Sequence, residues 1–457
     1  MPRPGVLLLL FTVLAAPEAV RAQEEPADYR VYGEHPRLLL RKRRLRLLQR
    51  ERERQSLRWQ QFELLMRGGA RMPEPGFAWA LYSITASDAR ACDRAVDWAL
   101  GAGNDLRQLA LVFDWCQAGL AAEESRALAL RIQEGIRQAA GKPGVDAVRD
   151  RVLAAIALAE HVPGVTEREL WQVIERWWRE QVAPALKAGR DLVSRRDTYA
   201  LMEILHAIRD NTSIDLRDDA PFFFRELPQF LLVSYYPASY PAAENEYRIP
   251  AVKGGEPDLE LAAMSRAAEL ALVAFDPNLQ ENQYLQGWLI HDRFLMRGTF
   301  GIPYEFLWAN PYQPGVSYYH MPMAHHDPSF GRLFLRSSWE EDATWIGYFD
   351  GELQLFENGE AKILSPEKDK KPLFLNDAVV LQGPAARRFA LDNPEAKLVF
   401  VTGLAPKQRY EVEVDDEEMR EEATDGGGIL RFTVVPRPRL GIRVRPAQSA
   451  SGGGPTQ

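Results

Sequence analysis

Apolar residues recur with the period of an amphipathic helix over most of the chain between residues 38 and 300. Segment 166–183 shows this pattern most clearly, because one helical face collects its large apolar side chains: Leu170, Val173, Ile174, Trp177 and Trp178. Thr166 and Glu169 have the spacing of a capping box, which predicts the start of that helix. With Gly and Pro between many such segments, the pattern predicts about eleven or twelve helices packed as antiparallel hairpins.

The pattern changes after residue 300. Residues 301–330 are rich in proline and predict a loop region that links two domains. Beyond them lie short β-type runs separated by turn signals such as Asp350-Gly351. The runs cover 332–338, 343–349, 352–356, 378–382, 397–402, 408–414, 429–435 and 439–445. We therefore expect an antiparallel β-sandwich over 331–446 and a flexible tail over 447–457, which makes the chain an α+β multidomain protein.

The first 22 residues have the pattern of a secretory signal peptide. Arg3 precedes an apolar stretch from Val6 to Ala16, and Val20 and Ala22 suit cleavage before position 23. That stretch is too short for a bilayer, which needs about 20 apolar residues. We expect a periplasmic or extracellular protein with a helical domain over 23–300 and no membrane span. A retained N-terminal anchor is the alternative.

Charge and cysteine content narrow the function classes. The 457 residues carry a formal net charge of −8, which argues against attraction of the whole protein to nucleic acid. The two cysteines are too few for a disulfide scaffold, although export would permit a Cys92–Cys116 bond as an alternative to two buried thiols. The basic segment 37–58 is either a solvated helix face or a surface that meets polyanions.

Histidine is the residue type that most needs an explanation. Five of the seven histidines lie between positions 206 and 326, yet the motifs of metalloproteases, serine hydrolases, nucleotide-binding proteins and CxxC redox proteins are absent. His325, His326 and Asp327 could coordinate a metal ion, but adjacent histidines point in different directions. We therefore predict neither a metal nor another cofactor.

Two aromatic segments are candidates for carbohydrate binding. Segment 235–254 holds four tyrosines and two cationic residues, and its candidate residues are Tyr240, Glu246, Tyr247 and Arg248. Aromatic rings offer flat faces to sugar rings, while Arg can pair with acidic groups. Segment 304–320 lies at the predicted domain junction, and its candidates are Trp308, Tyr319 and His320. The alternatives are a loop that caps the helical core and simple packing between domains.

Three motifs occur in the order found in a known family. His35-Pro36-Arg37-Leu38-Leu39 precedes the basic helix, Asp114-Trp115 precedes Glu123-Glu124, and Arg336-Ser337-Ser338-Trp339 precedes Asp342-Ala343-Thr344. In this order they resemble the heparinase II/III-like polysaccharide lyases over nearly the whole mature chain. The resemblance implies an incomplete (α/α) toroid of helical hairpins followed by an antiparallel β-sandwich. It also implies β-elimination of uronate-containing acidic polysaccharides in the cleft between them.

Such elimination requires a cation near the uronate carboxylate, a base, and an acid that protonates the leaving oxygen. By residue type we assign Tyr247, His206 and His291 to catalysis. The expected substrate-binding residues are Arg248, Glu246, Tyr240, Trp308, Tyr319, His320 and His325.

Two alternatives to a lyase stay open. No histidine follows His326, so the chain lacks the His-rich β-domain motif of the family, which favours a non-catalytic glycan-binding protein. An inverting glycoside hydrolase needs two carboxylates about 6.5–9.5 Å apart. Its candidates by type are Asp114, Glu203, Glu244, Glu246, Asp292 and Glu305. The oligomeric state and the polysaccharide are not indicated by the sequence.

Overall fold

The computed structural model describes residues 29–31, 33–240, 248–291, 296–366, 368–383, 387–393 and 395–447. The predicted signal peptide and nearly all of the predicted tail lie outside these residues. The described chain contains helices followed by antiparallel and mixed sheets, so the fold class is α+β.

Helices occupy most of the described chain up to residue 308, with short connections between many of them and one long connection over 234–258. In the described part of the chain they form thirteen continuous segments, since α8 and α9 are joined by the π-helix Gln172–Val182. The helices are α1 (Lys42–Glu53), α2 (Leu57–Arg67), α3 (Pro75–Ala86), α4 (Ala89–Leu100), α5 (Leu106–Trp115), α6 (Ala122–Ala139), α7 (Val145–Ala157), α8 (Val165–Trp171), α9 (Ala183–Lys187), α10 (Thr198–Thr212), α11 (Pro221–Val233), α12 (Leu259–Phe275), α13 (Gln280–His291) and α14 (Gly298–Trp308).

The amphipathic pattern located these helices well, but one predicted helix start is wrong. The helix begins at Val165, with Gly164 as the N-cap residue. The hydroxyl of Thr166 instead donates to the Ala155 carbonyl at 2.7 Å, and Glu169 accepts from Arg151 at 2.6 Å. Contacts with α7 therefore take both side chains of the expected capping box.

The structure answers two questions raised by the sequence, one about the two cysteines and one about a membrane span. Cys92 and Cys116 are buried free thiols, with Cys92 Sγ 3.9 Å from the Cys116 carbonyl oxygen. None of the helices in the described part of the chain combines the length and apolar composition of a membrane span.

Three sheets follow the helices. The first has five antiparallel strands in the order β1-β2-β3-β4-β5, the second is the mixed sheet β12-β9-β7-β6, and the third is the antiparallel sheet β11-β10-β13-β8. The strands are β1 (Ala324–Asp327), β2 (Arg332–Arg336), β3 (Trp345–Phe349), β4 (Glu352–Glu357), β5 (Glu360–Leu364), β6 (Leu373–Leu375), β7 (Ala378–Gln382), β8 (Arg387–Leu391), β9 (Leu398–Thr402), β10 (Arg409–Val414), β11 (Glu418–Ala423), β12 (Leu430–Thr433) and β13 (Leu440–Pro446).

All eight predicted β-type runs contain a strand, and β1, β5, β6, β8 and β11 were not predicted. The expectation of purely antiparallel pairing is wrong for β7 and β9, which pair in parallel. The chain between them contains β8, which belongs to the third sheet, so β9 re-enters the second sheet in the direction of β7.

The apolar residues place the sheets in successive layers against the helices. Phe334, Trp345 and Phe356 of the first sheet belong to the same buried cluster as the helices. The opposite face of that sheet, including Leu335 and Ile346, packs with Val380 and Phe400 of the second sheet. The other face of the second sheet packs on the third sheet. Strands β2, β3 and β7 are buried at every position because both of their faces are covered.

Polar contacts also tie the first sheet to the helices. The Trp345 indole donates to the Val233 carbonyl at 2.9 Å, and the Tyr236 hydroxyl donates to Gln354 at 2.8 Å. The helices and the first sheet therefore share one core, and a cleft at their junction has walls from both.

Candidate functional site

A cleft of about 430 Å³ opens where the helical part meets the first sheet. Its lining residues come from four places in the chain: Arg248, His291, Tyr319, Trp339, Glu340, Glu341 and Asp342. His291 ends α13, and Tyr319 belongs to the short 3-10 helix Tyr318–His320. Residues 339–342 form the connection between β2 and β3. Three of the residues predicted from the sequence, Arg248, His291 and Tyr319, thus line one cleft.

His291 presents an accessible imidazole beside two phenol rings. Its ring centre lies 5.6 Å from that of Tyr318 and 5.9 Å from that of Tyr319, in edge-on arrangements. The two tyrosine rings stack on each other at 4.7 Å. Its exposed ring nitrogens can form hydrogen bonds with a ligand in the cleft. The aromatic pair beside it offers a flat apolar surface.

One guanidinium group, that of Arg248, lines the cleft, and a second, that of Arg336, is buried behind Trp339. Arg248 Nη2 donates to Glu341 Oε1 at 3.1 Å, and the Glu341 side chain is 77% exposed. Arg336 is buried and stacks on Trp339 at 4.1 Å. Burial, together with the neighbouring charge of Arg248, lowers the pKa of Arg336 to about 9. Arg336 Nε has no hydrogen-bond partner among the described residues, so an anion bound nearby would relieve an unfavourable buried charge.

Sequence reasoning missed part of this cleft. Glu340, Glu341 and Asp342 form an acidic run that resembles an ordinary solvated turn. The available signal was its position directly after the Arg336-Ser337-Ser338-Trp339 motif, which places the run beside Trp339. These carboxylates surround Arg248 and tune the charge of the cleft.

His206 and Trp308 lie together, but they do not line the cleft that contains His291. Nε2 of His206 donates to the Ala271 carbonyl at 2.9 Å, and its ring lies 4.6 Å from that of Trp308. Burial lowers the pKa of His206 to about 3. A histidine whose pKa lies this far below its ordinary value is a weak base, so it is poorly suited to accept a proton from a substrate.

His206 and Trp308 instead form part of a second groove, of about 880 Å³, along the basic helix α1. Arg44 donates to the Trp308 carbonyl at 2.8 Å, and the Arg54 guanidinium lies 5.2 Å from the Tyr312 ring centre. The groove has a strongly cationic wall: Arg41, Lys42, Arg43, Arg44, Arg46, Arg50, Arg54 and Arg209. Segment 37–58 therefore lines a groove, and a polyanion as its partner stays a prediction.

The remaining predicted binding residues are dispersed. Tyr240 packs edge-on against Tyr236 at 5.3 Å, and His320 is exposed in the 3-10 helix. His325 is buried in β1, where burial lowers its pKa to about 4. Tyr247 and Glu246 lie outside the described residues.

Residues 325–327 do not form a metal site with the usual three or four protein ligands. His326 Nε2 bonds to Asp425 at 2.8 Å, whereas His325 is buried. In the part of the chain that the structure describes, no group of three or more His, Cys, Asp or Glu side chains is arranged to hold a metal ion.

The carboxylates considered for a hydrolase have structural partners. Glu203 is fully buried and accepts from Arg107, and Asp114 accepts two backbone N–H groups, from Arg37 and Leu38. Burial raises the pKa of Glu305. None of these three lines the cleft with His291, and the other three candidates, Glu244, Glu246 and Asp292, lie outside the described residues.

Comparisons with known proteins leave the family of the chain open. No protein-family model matches it, and no curated protein is similar in sequence. Among solved structures, one similar chain is described as a glycoside hydrolase, with a TM-score of 0.30 and 8% sequence identity. The similarity covers 81% of this chain and 72% of that chain. At this level the likeness carries no assignment of family or activity.

Proposed function

We propose that the chain is a polysaccharide lyase-like protein, which binds uronate-containing acidic polysaccharides in the cleft lined by Arg248 and His291. The observation that carries this proposal is the combination of the Arg248 guanidinium, an exposed imidazole and stacked phenol rings in one cleft. Each group matches one requirement of β-elimination. The proposal includes export through the N-terminal signal peptide.

The Arg248 guanidinium would lower the free-energy cost of removing a proton next to a uronate carboxylate. A uronate carboxylate bound at Arg248, in exchange for the contact with Glu341, becomes a better electron sink. The adjacent C–H then becomes acidic enough for a base to remove its proton. Glu341 is exposed and can move aside without leaving a buried charge.

We assign the remaining two roles in the reaction to His291 and Tyr319. The imidazole of His291 takes the proton, the C–H electron pair forms the new C=C bond, and the glycosidic C–O bond breaks. The Tyr319 hydroxyl gives its proton to the departing oxygen and recovers one from solvent. Tyr247 remains the second candidate for this acid.

The architecture that we propose for this function is an incomplete (α/α) toroid over 23–300, the linker 301–330 and a β-domain of sandwich type over 331–446. Two observations support it: consecutive helices from α1 to α8 contact one another, and α14 returns to contact α2 and α3. The first sheet packs against the helical part.

The test is the formation of unsaturated uronate, followed by ultraviolet absorbance, with polygalacturonate, alginate, hyaluronan and heparan sulfate as substrates. We expect product from at least one of them, and a loss of about 100-fold in kcat for His291→Gln. Arg248→Ala should lose at least tenfold in kcat/KM, whereas Arg437→Ala, at an exposed arginine paired with Asp415, should not change it. A folded protein that forms no product from any of the four contradicts the lyase proposal.

The second candidate is a glycan-binding relative without catalysis, favoured by the absence of any histidine after His326. Retained polysaccharide binding without product would support it. Release of reducing ends without the unsaturated product would instead support a hydrolase.

A further inference from the structure

The groove along the basic helix α1 is separate from the cleft with His291. Its volume of about 880 Å³ exceeds the cleft volume of about 430 Å³. Among the lining residues that the structure describes, eight are Lys or Arg, and the single carboxylate is that of Asp210. Because the whole chain carries a formal net charge of −8, the groove concentrates positive charge on an acidic protein.

The cations of α1 form a row along the groove. Four exposed arginines that line the groove follow one face of the helix at intervals of three or four residues: Arg43, Arg46, Arg50 and Arg54. Successive arginines are therefore about 4.5–6 Å apart along the helix axis. One sugar ring in a polysaccharide has a similar length, so a chain with an acidic group on each sugar can match the row.

The acidic residues of α1 do not neutralise this row. Glu51 is buried and accepts from Arg58 at 2.9 Å, and Glu53 lines a different pocket. In the described part of the chain, neither Arg46 nor Arg50 has a carboxylate at ion-pair distance. Like charges at this spacing repel each other, so binding of a polyanion would relieve the repulsion.

The opposite wall of the groove contributes one exposed aromatic ring. Phe275 and Trp308 are buried, whereas Tyr312 is 51% exposed. The Arg54 guanidinium lies 5.2 Å from the Tyr312 ring centre, so a cation and a flat apolar surface occur together at this point. Single-stranded nucleic acids are usually held by several rings on which successive bases stack, so this lining favours a sugar chain.

The groove lies close to the cleft because both have walls supported by α13. Gln286 of α13 donates to the carbonyl of Gln313, which lines the groove, at 3.3 Å. His291 is the last residue of the same helix and lines the cleft. From Gln286 to His291 the helix advances by about 7.5 Å. A polysaccharide of ordinary length is therefore long enough to occupy both sites.

We propose that the groove along α1 is a second binding site for the acidic polysaccharide, where it holds sugars of the chain that lie outside the cleft. The choice of ligand rests on the proposed function. Contacts with exposed arginines are individually weak, because water and salt screen them. They strengthen binding when the cleft already holds the same chain, because the second contact is then intramolecular. The groove therefore favours long chains over short ones.

The test compares polygalacturonate, alginate, hyaluronan and heparan sulfate, each as a polymer and as a hexasaccharide, by calorimetric titration at physiological ionic strength. With concentrations counted in hexasaccharide equivalents, at least one polymer should bind the unaltered chain about tenfold more tightly than its hexasaccharide. Arg46→Gln/Arg50→Gln should lose this gain and bind the hexasaccharide with unchanged affinity. Arginine and glutamine have similar helix propensities, so α1 should stay intact.

The matched control is Arg437→Gln/Arg439→Gln, which removes two exposed arginines from the connection between β12 and β13. It changes the net charge equally and should bind polymer and hexasaccharide as the unaltered chain does. An oligo(dT) strand, added as a nucleic-acid ligand, should bind more weakly than the polymer.

Equal affinity for polymer and hexasaccharide, or an unchanged polymer affinity in Arg46→Gln/Arg50→Gln, would overturn the inference. Tighter binding of oligo(dT) than of all four polymers would overturn it as well, because the groove would then be a nucleic-acid site. Polymer binding that depends on Arg46 and Arg50, without any hexasaccharide binding, would support the groove and contradict the proposed function of the cleft.

Discussion

At the scale of single residues, buried charges in the helical part are paired with particular partners. Glu203 accepts from Arg107 Nη2 at 2.7 Å and from the Tyr199 hydroxyl at 2.8 Å. Burial alone would raise the pKa of Glu203, but Arg107 and Arg149 hold it below its ordinary value. The pair stabilises the fold only while both charges are present, because each would otherwise keep only one weaker partner, Glu74 for Arg107 and Arg149 for Glu203.

Glu203→Gln should therefore destabilise the protein by about 3 kcal/mol, since it leaves the buried Arg107 with only the partly exposed Glu74 as counter-charge. The measurement is urea unfolding followed by circular dichroism at neutral pH. Glu180→Gln, which breaks an exposed pair with Arg176, should cost less than about 0.5 kcal/mol. Equal effects of the two substitutions would show that the buried pair is not needed.

His206 predicts a pH dependence of stability. Its pKa is about 3 in the folded chain, against an ordinary value of 6.5. Between these values the unfolded chain binds a proton that the folded chain does not, so stability falls as pH decreases below about 6.5. His206→Gln keeps a donor for Ala271 and should reduce this slope by about 1 kcal/mol per pH unit between pH 6 and 4.

Unfolding in urea at several pH values measures that slope. His320→Gln, at an exposed histidine, should leave it unchanged. If His206→Gln also leaves the slope unchanged, His206 is not held neutral in the folded protein.

At the scale of elements, the turn after α9 packs closely against the connection between β1 and β2. Gly189 has a φ of +71°, and a Cβ atom there would lie 1.8 Å from the Ser329 carbonyl oxygen. Gly141 has a similar φ of +77°, with no atom within 4 Å of its Cβ position. Substitution of Gly141 therefore tests backbone strain alone, whereas substitution of Gly189 adds a steric clash to that strain.

Gly141→Ala should cost about 1 kcal/mol through backbone strain alone. Gly189→Ala should cost about 1–3 kcal/mol more, because the backbone of Ser329 must move. Thermal unfolding of the two variants measures the difference. Equal costs would mean that the helical part and the first sheet do not approach closely at this point.

The composition of the strands explains why some strands were predictable from the sequence and others were not. Runs such as 378–382 are rich in Val and Leu because both faces of β7 are covered, and that composition is typical of strands. Strands β5 and β11 lie at sheet edges and are mostly exposed, and charged residues interrupt the apolar composition that is typical of a strand, at two of five positions in β5 and four of six in β11. The predicted boundary at residue 300 falls inside α14, because that helix continues through Pro303.

The candidate site was predictable only in part, for a similar reason. Arg248, His291 and Tyr319 were identified by residue type, and the structure places them in one cleft. The burial of His206 depends on Ala271 and Phe275, which are distant in sequence and gave no local signal. The role of Arg336 depends on its position beneath Trp339, which is set by the first sheet.

At the scale of the whole molecule, the chain is built in layers. The helices share a core with the first sheet, and the second and third sheets pack in turn behind it. The cleft with Arg248 and His291 lies at the edge of the helix–sheet junction, where Trp339 is buried and the acidic residues 340–342 are exposed.

The most direct measurement is the affinity of acidic hexasaccharides for the unaltered chain, Arg248→Ala and Arg437→Ala. Hexasaccharides of polygalacturonate, alginate, hyaluronan and heparan sulfate serve as ligands, with a neutral dextran hexasaccharide for comparison. The account predicts binding of at least one acidic ligand but not dextran. It also predicts about tenfold weaker binding by Arg248→Ala, since a charge-assisted contact is worth about 1.5–3 kcal/mol. Equal affinity of Arg248→Ala and Arg437→Ala, or binding of none of the acidic ligands, would contradict it.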